Sequence, residues 1–142
     1  MKKTYTGSCH CGAVRFEAEL DLAEGTHRCN CSFCRKNRFW MAFAKGDAFR
    51  LLAGSDVLVD YQHRPSHQAE PFLHLLFCGR CGVRGFSRGG YLPQFGTDVF
   101  HAVNLACLDD ASDEELANAP VHYVNGREND WANPILGETR HL

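Results

Sequence analysis

The placement of seven of the eight cysteines constrains this chain more than any other feature. Cys9-His10-Cys11 is a C-x-C pair, and Cys29-Asn30-Cys31-Ser32-Phe33-Cys34 is a C-x-C-x-x-C run. Cys78-Gly79-Arg80-Cys81 is a C-x-x-C pair followed by Gly82. Cysteines spaced this closely share a metal ion or serve redox chemistry. Residues 1–6 begin with a basic pair, turn polar and lead straight to Cys9, so no signal-peptide h-region is legible. A cytoplasmic setting is therefore expected, where thiols stay reduced, and that directs the cysteines to metal or catalysis rather than to disulfides.

The first and third motifs together supply four thiolates, Cys9, Cys11, Cys78 and Cys81, enough to close a tetrahedral zinc site. The C-x-x-C-G form is a zinc knuckle, in which glycine lets backbone N–H groups approach the sulfurs. A closed four-cysteine set leaves no position for substrate. It reads as structural, clamping the N-terminal segment to the middle of the chain across 66 intervening residues. The middle motif supplies only Cys29, Cys31 and Cys34, with no fourth cysteine nearby in sequence. Three protein ligands and one open position form the pattern of a catalytic zinc. A thiol entering that position would ionise at neutral pH, although a free thiol has a pKa of about 8.5.

Two zinc ions per chain are thus expected. The same residues also allow a single four-cysteine site with the other thiols free, or an iron–sulfur cluster on Cys29, Cys31 and Cys34. A C-x-x-C redox pair fits less well, because no βαβ pattern surrounds it. Cys107, in the apolar run Val103–Leu108, reads as a small buried hydrophobe. Of the eight histidines, His27 is the one close enough to a motif to compete as a ligand, and His10 is expected to point away from its metal.

A chain of 142 residues suits one domain, here taken as 1–142, and 44% apolar residues suffice for a core. The pattern is mainly β. Val14, Phe16, Ala18 and Leu20 alternate with Arg15, Glu17 and Glu19, which predicts a half-buried antiparallel strand over 13–20. Further strands are expected over 39–44, 49–52, 57–62, 71–77, 83–87 and 99–105. One helix is expected: Ser112 and Glu115 fit a capping box, and Pro120 follows the end near Asn118. The tail 131–142 reads as irregular, with Trp131, Ile135 and Leu136 packing on the body. A net charge of −2 with dispersed arginines argues against nucleic acid. No stretch approaches the roughly 20 apolar residues of a membrane span.

Taken in order, three motifs resemble those of the glutathione-dependent formaldehyde-activating enzymes, a family that includes centromere protein V. They are Gly7-Ser8-Cys9-His10-Cys11-Gly12-Ala13-Val14-Arg15-Phe16, Cys29-Asn30-Cys31-Ser32-Phe33-Cys34-Arg35 and Phe77-Cys78-Gly79-Arg80-Cys81-Gly82. Val103-Asn104-Leu105, Leu108-Asp109-Asp110 and Trp131 resemble later, weaker signatures, so the likeness runs from about residue 6 to 132. It implies a β-tent of short antiparallel strands, the fold of small Rab-accessory exchange proteins. It also implies a structural zinc on Cys9, Cys11, Cys78 and Cys81 and a catalytic zinc on Cys29, Cys31 and Cys34. Family members often carry histidine where this chain has Asn30, so any proton-handling or orienting role of that histidine is altered here.

The family reaction joins glutathione and formaldehyde into S-hydroxymethylglutathione, a carbon–sulfur lyase reaction in reverse. The partners it implies are glutathione or a similar small thiol and a small aldehyde. Arg35 and Arg38 flank the second motif and could hold a glutathione carboxylate as a fork. Phe39 and Trp40 belong to the strand core, with one available to wall a pocket. The rival reading is a non-catalytic zinc module for protein interaction or for carrying a glutathione adduct.

Overall fold

In the computed structural model, residues 1–63, 73–90 and 99–142 are described. Eleven strands are found among them: β1 Lys3–Ser8, β2 Arg15–Leu20, β3 Thr26–Cys29, β4 Trp40–Lys45, β5 Phe49–Ala53 and β6 Leu58–His63. They continue with β7 Leu73–Cys78, β8 Phe86–Gly89, β9 Phe100–Asn104, β10 Val121–Asn125 and β11 Asp130–Pro134. Two short helices accompany them, α1 Ser32–Asn37 and α2 Asp113–Asn118. The fold is mainly β, as the alternation predicts. A small sheet runs β1-β2-β5 and a large one β11-β10-β3-β4-β9-β8-β7-β6.

The expectation of antiparallel pairing holds with one exception. β3 and β10 run parallel, with Val121 opposite Thr26 and Val124 opposite Cys29. Thr26 explains why so polar a strand is buried: its hydroxyl donates to the Pro120 carbonyl at 2.8 Å and accepts from the Trp40 indole at 2.8 Å. Trp40 is thereby committed to the body, and Phe39 is buried beside it. The predicted region 71–77 survives as β7 from Leu73 onward; Pro71 and Phe72 lie outside the described residues.

The two sheets face each other across aromatic rings. Phe16 of β2 is fully buried, edge-on to Phe86 of β8 with centroids 5.6 Å apart. Phe49 of β5 stacks flat on His101 of β9 at 4.0 Å. Burial holds the His101 imidazole neutral, its pKa lowered to about 4, as a ring wedged between Phe49 and Phe86 requires. Gly85 lies under Phe16, where a Cβ would come within 2.9 Å of the ring, so only glycine admits that packing. This aromatic layer with Val14, Val103 and Leu105 is the main core. A second core, Phe39, Met41, Phe100 and Ala102, lies beneath Cys29.

Helix α2 has the expected capping box. Ser112 Oγ accepts from the Glu115 N–H at 3.1 Å, and Glu115 Oε2 accepts from the Ser112 N–H at 2.8 Å. Glu115 also takes hydrogen bonds from Lys3 Nζ and Tyr5 Oη, each at 2.9 Å, which ties β1 to α2. These donors, the Ser112 backbone first, hold its carboxyl down at about 2.

Two expectations need correction. The second helix, α1, carries no standard N-cap residue, because Cys31 occupies that position. The tail is not wholly irregular: Asp130–Pro134 pairs with β10, and the Asp130 carboxylate accepts from the Ala132 and Asn133 backbone N–H groups at 3.2 Å each. Leu136 does not pack on the body but stands 94% exposed; the buried anchor of the tail is Leu142. No helix among the described residues is long and apolar enough to cross a membrane.

Candidate metal centres

Two groups of cysteines converge among the described residues, Cys9/Cys11/Cys78/Cys81 and Cys29/Cys31/Cys34. Within each group all the sulfurs lie within 4.8 Å of one another. These are the two sets that the spacing singles out.

The outer group is built from two turns of the same design. After β1, the Cys9 N–H donates to the Val14 carbonyl at 3.0 Å and the Gly12 N–H to the Cys9 carbonyl at 3.0 Å. After β7, the Cys78 N–H donates to Val83 at 3.0 Å and the Gly82 N–H to Cys78 at 2.8 Å. Gly12 and Gly82 both sit at φ +78°, a left-handed conformation that L side chains resist, so each turn needs its glycine. Sulfur separations are 3.6 Å for Cys9–Cys11 and 3.8 Å for Cys11–Cys78. Thiolates about 2.3 Å from a tetrahedral zinc stand about 3.8 Å apart, so the spacing fits that ion.

Backbone N–H groups also point at the sulfurs: Val14 to Cys9 at 3.3 Å and Arg80 to Cys78 at 3.4 Å. Backbone hydrogen bonds from Cys11 and Val83 pull the Cys81 thiol down to about 6, and those from Cys81 and Arg80 lower Cys78. Cys9 and Cys78 are buried in the main core. His10 is exposed and stands outside the group.

The inner group hangs on a single bend. Cys29 ends β3, Cys31 caps α1, and Cys34 lies in its first turn. The Cys31 N–H reaches Cys29 Sγ and the Cys34 N–H reaches Cys31 Sγ, each at 3.4 Å. Hydrogen bonds from Cys29 and Cys34 lower the Cys31 thiol, whereas Cys29 and Cys34 are raised. One thiolate thus forms readily, and the other protons leave when a cation takes their place. No fourth Cys, His, Asp or Glu joins this group among the described residues. Soft thiolates in a three-fold cluster suit zinc.

His27 does not join the cluster. It packs on Phe43 at 5.0 Å and His122 at 5.5 Å, and burial lowers its pKa. Arg35 and Arg38 are both exposed; Arg38 ends α1 in the left-handed region with φ 47°. Cys107 is buried, its thiol 3.7 Å from the Arg84 carbonyl, and desolvation pushes it up to about 11.

Several residues at the inner group escape sequence reasoning. Gly126 sits against the cluster, where a Cβ would come within 2.5 Å of Cys29 Sγ and 3.3 Å of Cys31 Cβ. Asn30 holds its turn in place. Its side-chain amide donates to Asn125 Oδ1 at 2.9 Å, and its Oδ1 accepts from the Arg127 N–H at 3.0 Å. The Asn-Gly pair at 125–126 is a turn signal, but nothing in the sequence says which cysteine the turn meets. Asn30 and Asn125 also line a cavity of about 590 Å³ with Arg127, Glu128 and His141. Arg84 is also unanticipated: its guanidinium lies 4.7 Å from the ring of Phe33, the residue before Cys34.

Gly126→Ala is expected to force Cys29 Sγ aside and loosen a metal held by the inner group about tenfold or more. Overpacking of this kind costs about 1–3 kcal/mol. Competition with a chromogenic chelator reads the effect, and the outer group should be untouched. Unaltered inner affinity would mean that the turn yields freely.

Comparison with known proteins bears on the family and the fold. The family model described as glutathione-dependent formaldehyde-activating enzyme matches residues 4–125. A Halomonas elongata protein that bears the name of that family is 42% identical over 66 residues, 45% of this chain and 40% of that relative's length. A crystal structure of a Rhodobacter sphaeroides protein superposes with a TM-score of 0.64 at 29% identity, covering 82% of this chain and 98% of the other. A family model that spans both cysteine groups, on a fold shared with a solved relative, settles the kinship: this chain belongs to the glutathione-dependent formaldehyde-activating enzyme family.

Proposed function

We propose that the chain, acting as one domain over 1–142, binds glutathione or a similar small thiol at Cys29, Cys31 and Cys34. There it forms or handles the S-hydroxymethyl adduct with formaldehyde or a related aldehyde. The observation that carries this reading is the three-sulfur cluster with no fourth ligand among the described residues. Zinc is the proposed ion at both groups, structural at Cys9, Cys11, Cys78 and Cys81. Eight free cysteines suit a reducing compartment such as the cytoplasm.

In the addition, the thiol sulfur bonds to the aldehyde carbon and the carbonyl π pair moves to oxygen. The proton released by the thiol ends on that oxygen. A zinc ion at the three cysteines supplies the Lewis acidity that keeps a thiol ionised at neutral pH. The N–H groups of Cys31 and Cys34 hold the sulfurs in register. Asn30 has no titratable proton, and both ends of its amide hold the Asn125–Arg127 turn, so Asn30 itself takes no part in proton exchange. The exposed Arg35 and Arg38 are proposed carboxylate contacts. The cavity beside Asn30, with Arg127 and Glu128 both in its lining, offers charges of both signs to a zwitterionic peptide.

The reading is tested by metal analysis followed by calorimetric titration with glutathione. Two zinc ions per chain are expected, and glutathione binding should weaken at least tenfold in Cys31→Ser. Abundant iron and sulfide would mean a cluster instead. Binding unchanged in the variant would put the thiol elsewhere and leave the non-catalytic module as the better account.

A further inference from the structure

Arg84 stands two residues beyond Gly82, at the end of the outer knuckle, yet its side chain reaches the inner motif. Its Nη1 donates to the carbonyls of Leu75 and Leu76, the latter at 3.0 Å. Its guanidinium carbon lies 4.7 Å from the ring of Phe33 and 5.3 Å from that of Phe77. Phe33 falls between Cys31 and Cys34 in the bend that carries the cluster, and its ring also stacks on Tyr61 at 6.4 Å. Arg84 Nε is buried without a hydrogen-bond partner.

No carboxylate pairs with this guanidinium among the described residues. The ring it packs on belongs to Phe33, the residue before Cys34, so the charge stands beside the bend that carries the three sulfurs. A partly buried cation without a counter-charge is costly, so its position asks for an anion. Three cysteine thiolates around a divalent cation carry a net charge of −1. An arriving thiolate makes it −2, which a low-dielectric pocket disfavours unless a positive charge lies close by.

We propose that Arg84 is a positioning residue of the inner site, whose fixed positive charge favours a thiolate over a neutral ligand beside Cys29, Cys31 and Cys34. This rests on the reading of that cluster as a thiol-binding metal site. Carbonyl bonds and aromatic faces hold the guanidinium, so the charge is in place before the ligand arrives. It also links the two cysteine groups, because the segment that leaves the outer knuckle ahead of β8 delivers the charge to the inner bend.

The experiment separates charge from packing. Zinc-loaded wild type, Arg84→Lys and Arg84→Met are titrated with 2-mercaptoethanol, which has no carboxylate, and with imidazole, a neutral ligand. Arg84→Met is expected to weaken 2-mercaptoethanol binding about tenfold and to change imidazole binding less than twofold. Arg84→Lys should recover most of the thiol affinity, because it keeps the charge. Cobalt-loaded samples give a second readout, in the gain of tetrahedral four-sulfur absorption when thiol is added, over the constant contribution of the outer group. Equal losses for both ligands would make Arg84 a packing residue, and no loss for either would remove it from the site; both overturn the proposal. A wild-type protein that binds imidazole but no thiol would overturn the thiol reading itself, and Arg84's part with it.

Discussion

Cys81→Ser is expected to leave almost no soluble, folded chain. The four sulfurs of the outer group come from two turns far apart in sequence, with Cys11 and Cys78 separated by 67 positions. Cys9 and Cys78 are buried beside Val14 and Phe16, in the layer where the two sheets meet. Losing one thiolate there unlocks a long loop and leaves the other three gathered without their ion. Structural zinc in small peptides contributes roughly 10–16 kcal/mol, as much as the whole stability of a typical domain, about 5–15 kcal/mol. Thermal melting with metal content measured on the same samples checks this. A Cys81→Ser protein that melts within a few degrees of wild type would show that the aromatic layer holds the sheets without the metal.

Cys34→Ser is expected to behave oppositely, giving a folded protein with one metal fewer and no thiol binding. The inner sulfurs come from one bend of six residues that closes no long loop. Phe39, Met41, Phe100 and Ala102 support the bend from below, and they remain when the sulfur is gone. An open position would also make a metal held there exchangeable, since a chelator can enter where a substrate thiol would. Mild chelation should therefore strip the inner ion first and leave a folded one-metal protein, followed by melting and elemental analysis. If Cys34→Ser melts as badly as Cys81→Ser, the inner group is structural too, and the catalytic reading loses its main support.

The strands that sequence reasoning recovered carry their own burial pattern. Phe16, Ala18 and Leu20 face the core at every second position, so β2 is legible from period alone. β3 was illegible because its four residues, Thr-His-Arg-Cys, are polar, and Thr26 is buried only because Pro120 and Trp40 satisfy its hydroxyl. α1 was missed for a local reason: a cysteine sulfur accepts the bond that Ser or Asp takes in an ordinary cap. β11 needed β10 as a partner before the tail could be read as a strand.

The cysteine groups divide in the same way. Which cysteines belong together follows from spacing, because C-x-C and C-x-x-C turns hold two sulfurs within ligand range wherever the rest of the chain goes. The two turns of the outer group are built alike around glycines at positive φ, a property of short sequence. What surrounds the inner sulfurs is a different matter. Gly126 presses on Cys29 from 97 residues away, Asn30 holds the turn that brings it there, and Arg84 arrives from the far side of the outer knuckle. Such contacts arise when separate strands are laid side by side, above all the parallel pairing of β3 with β10. Sequence by itself determined the short cysteine motifs and the β character of the chain, since both depend on neighbours along the backbone, whereas the meeting of Cys9 and Cys11 with Cys78 and Cys81 needed the fold. Only the tertiary structure decided what encloses the open site and what charge faces it, because those neighbours are distant in sequence and meet only through the pairing of the sheets.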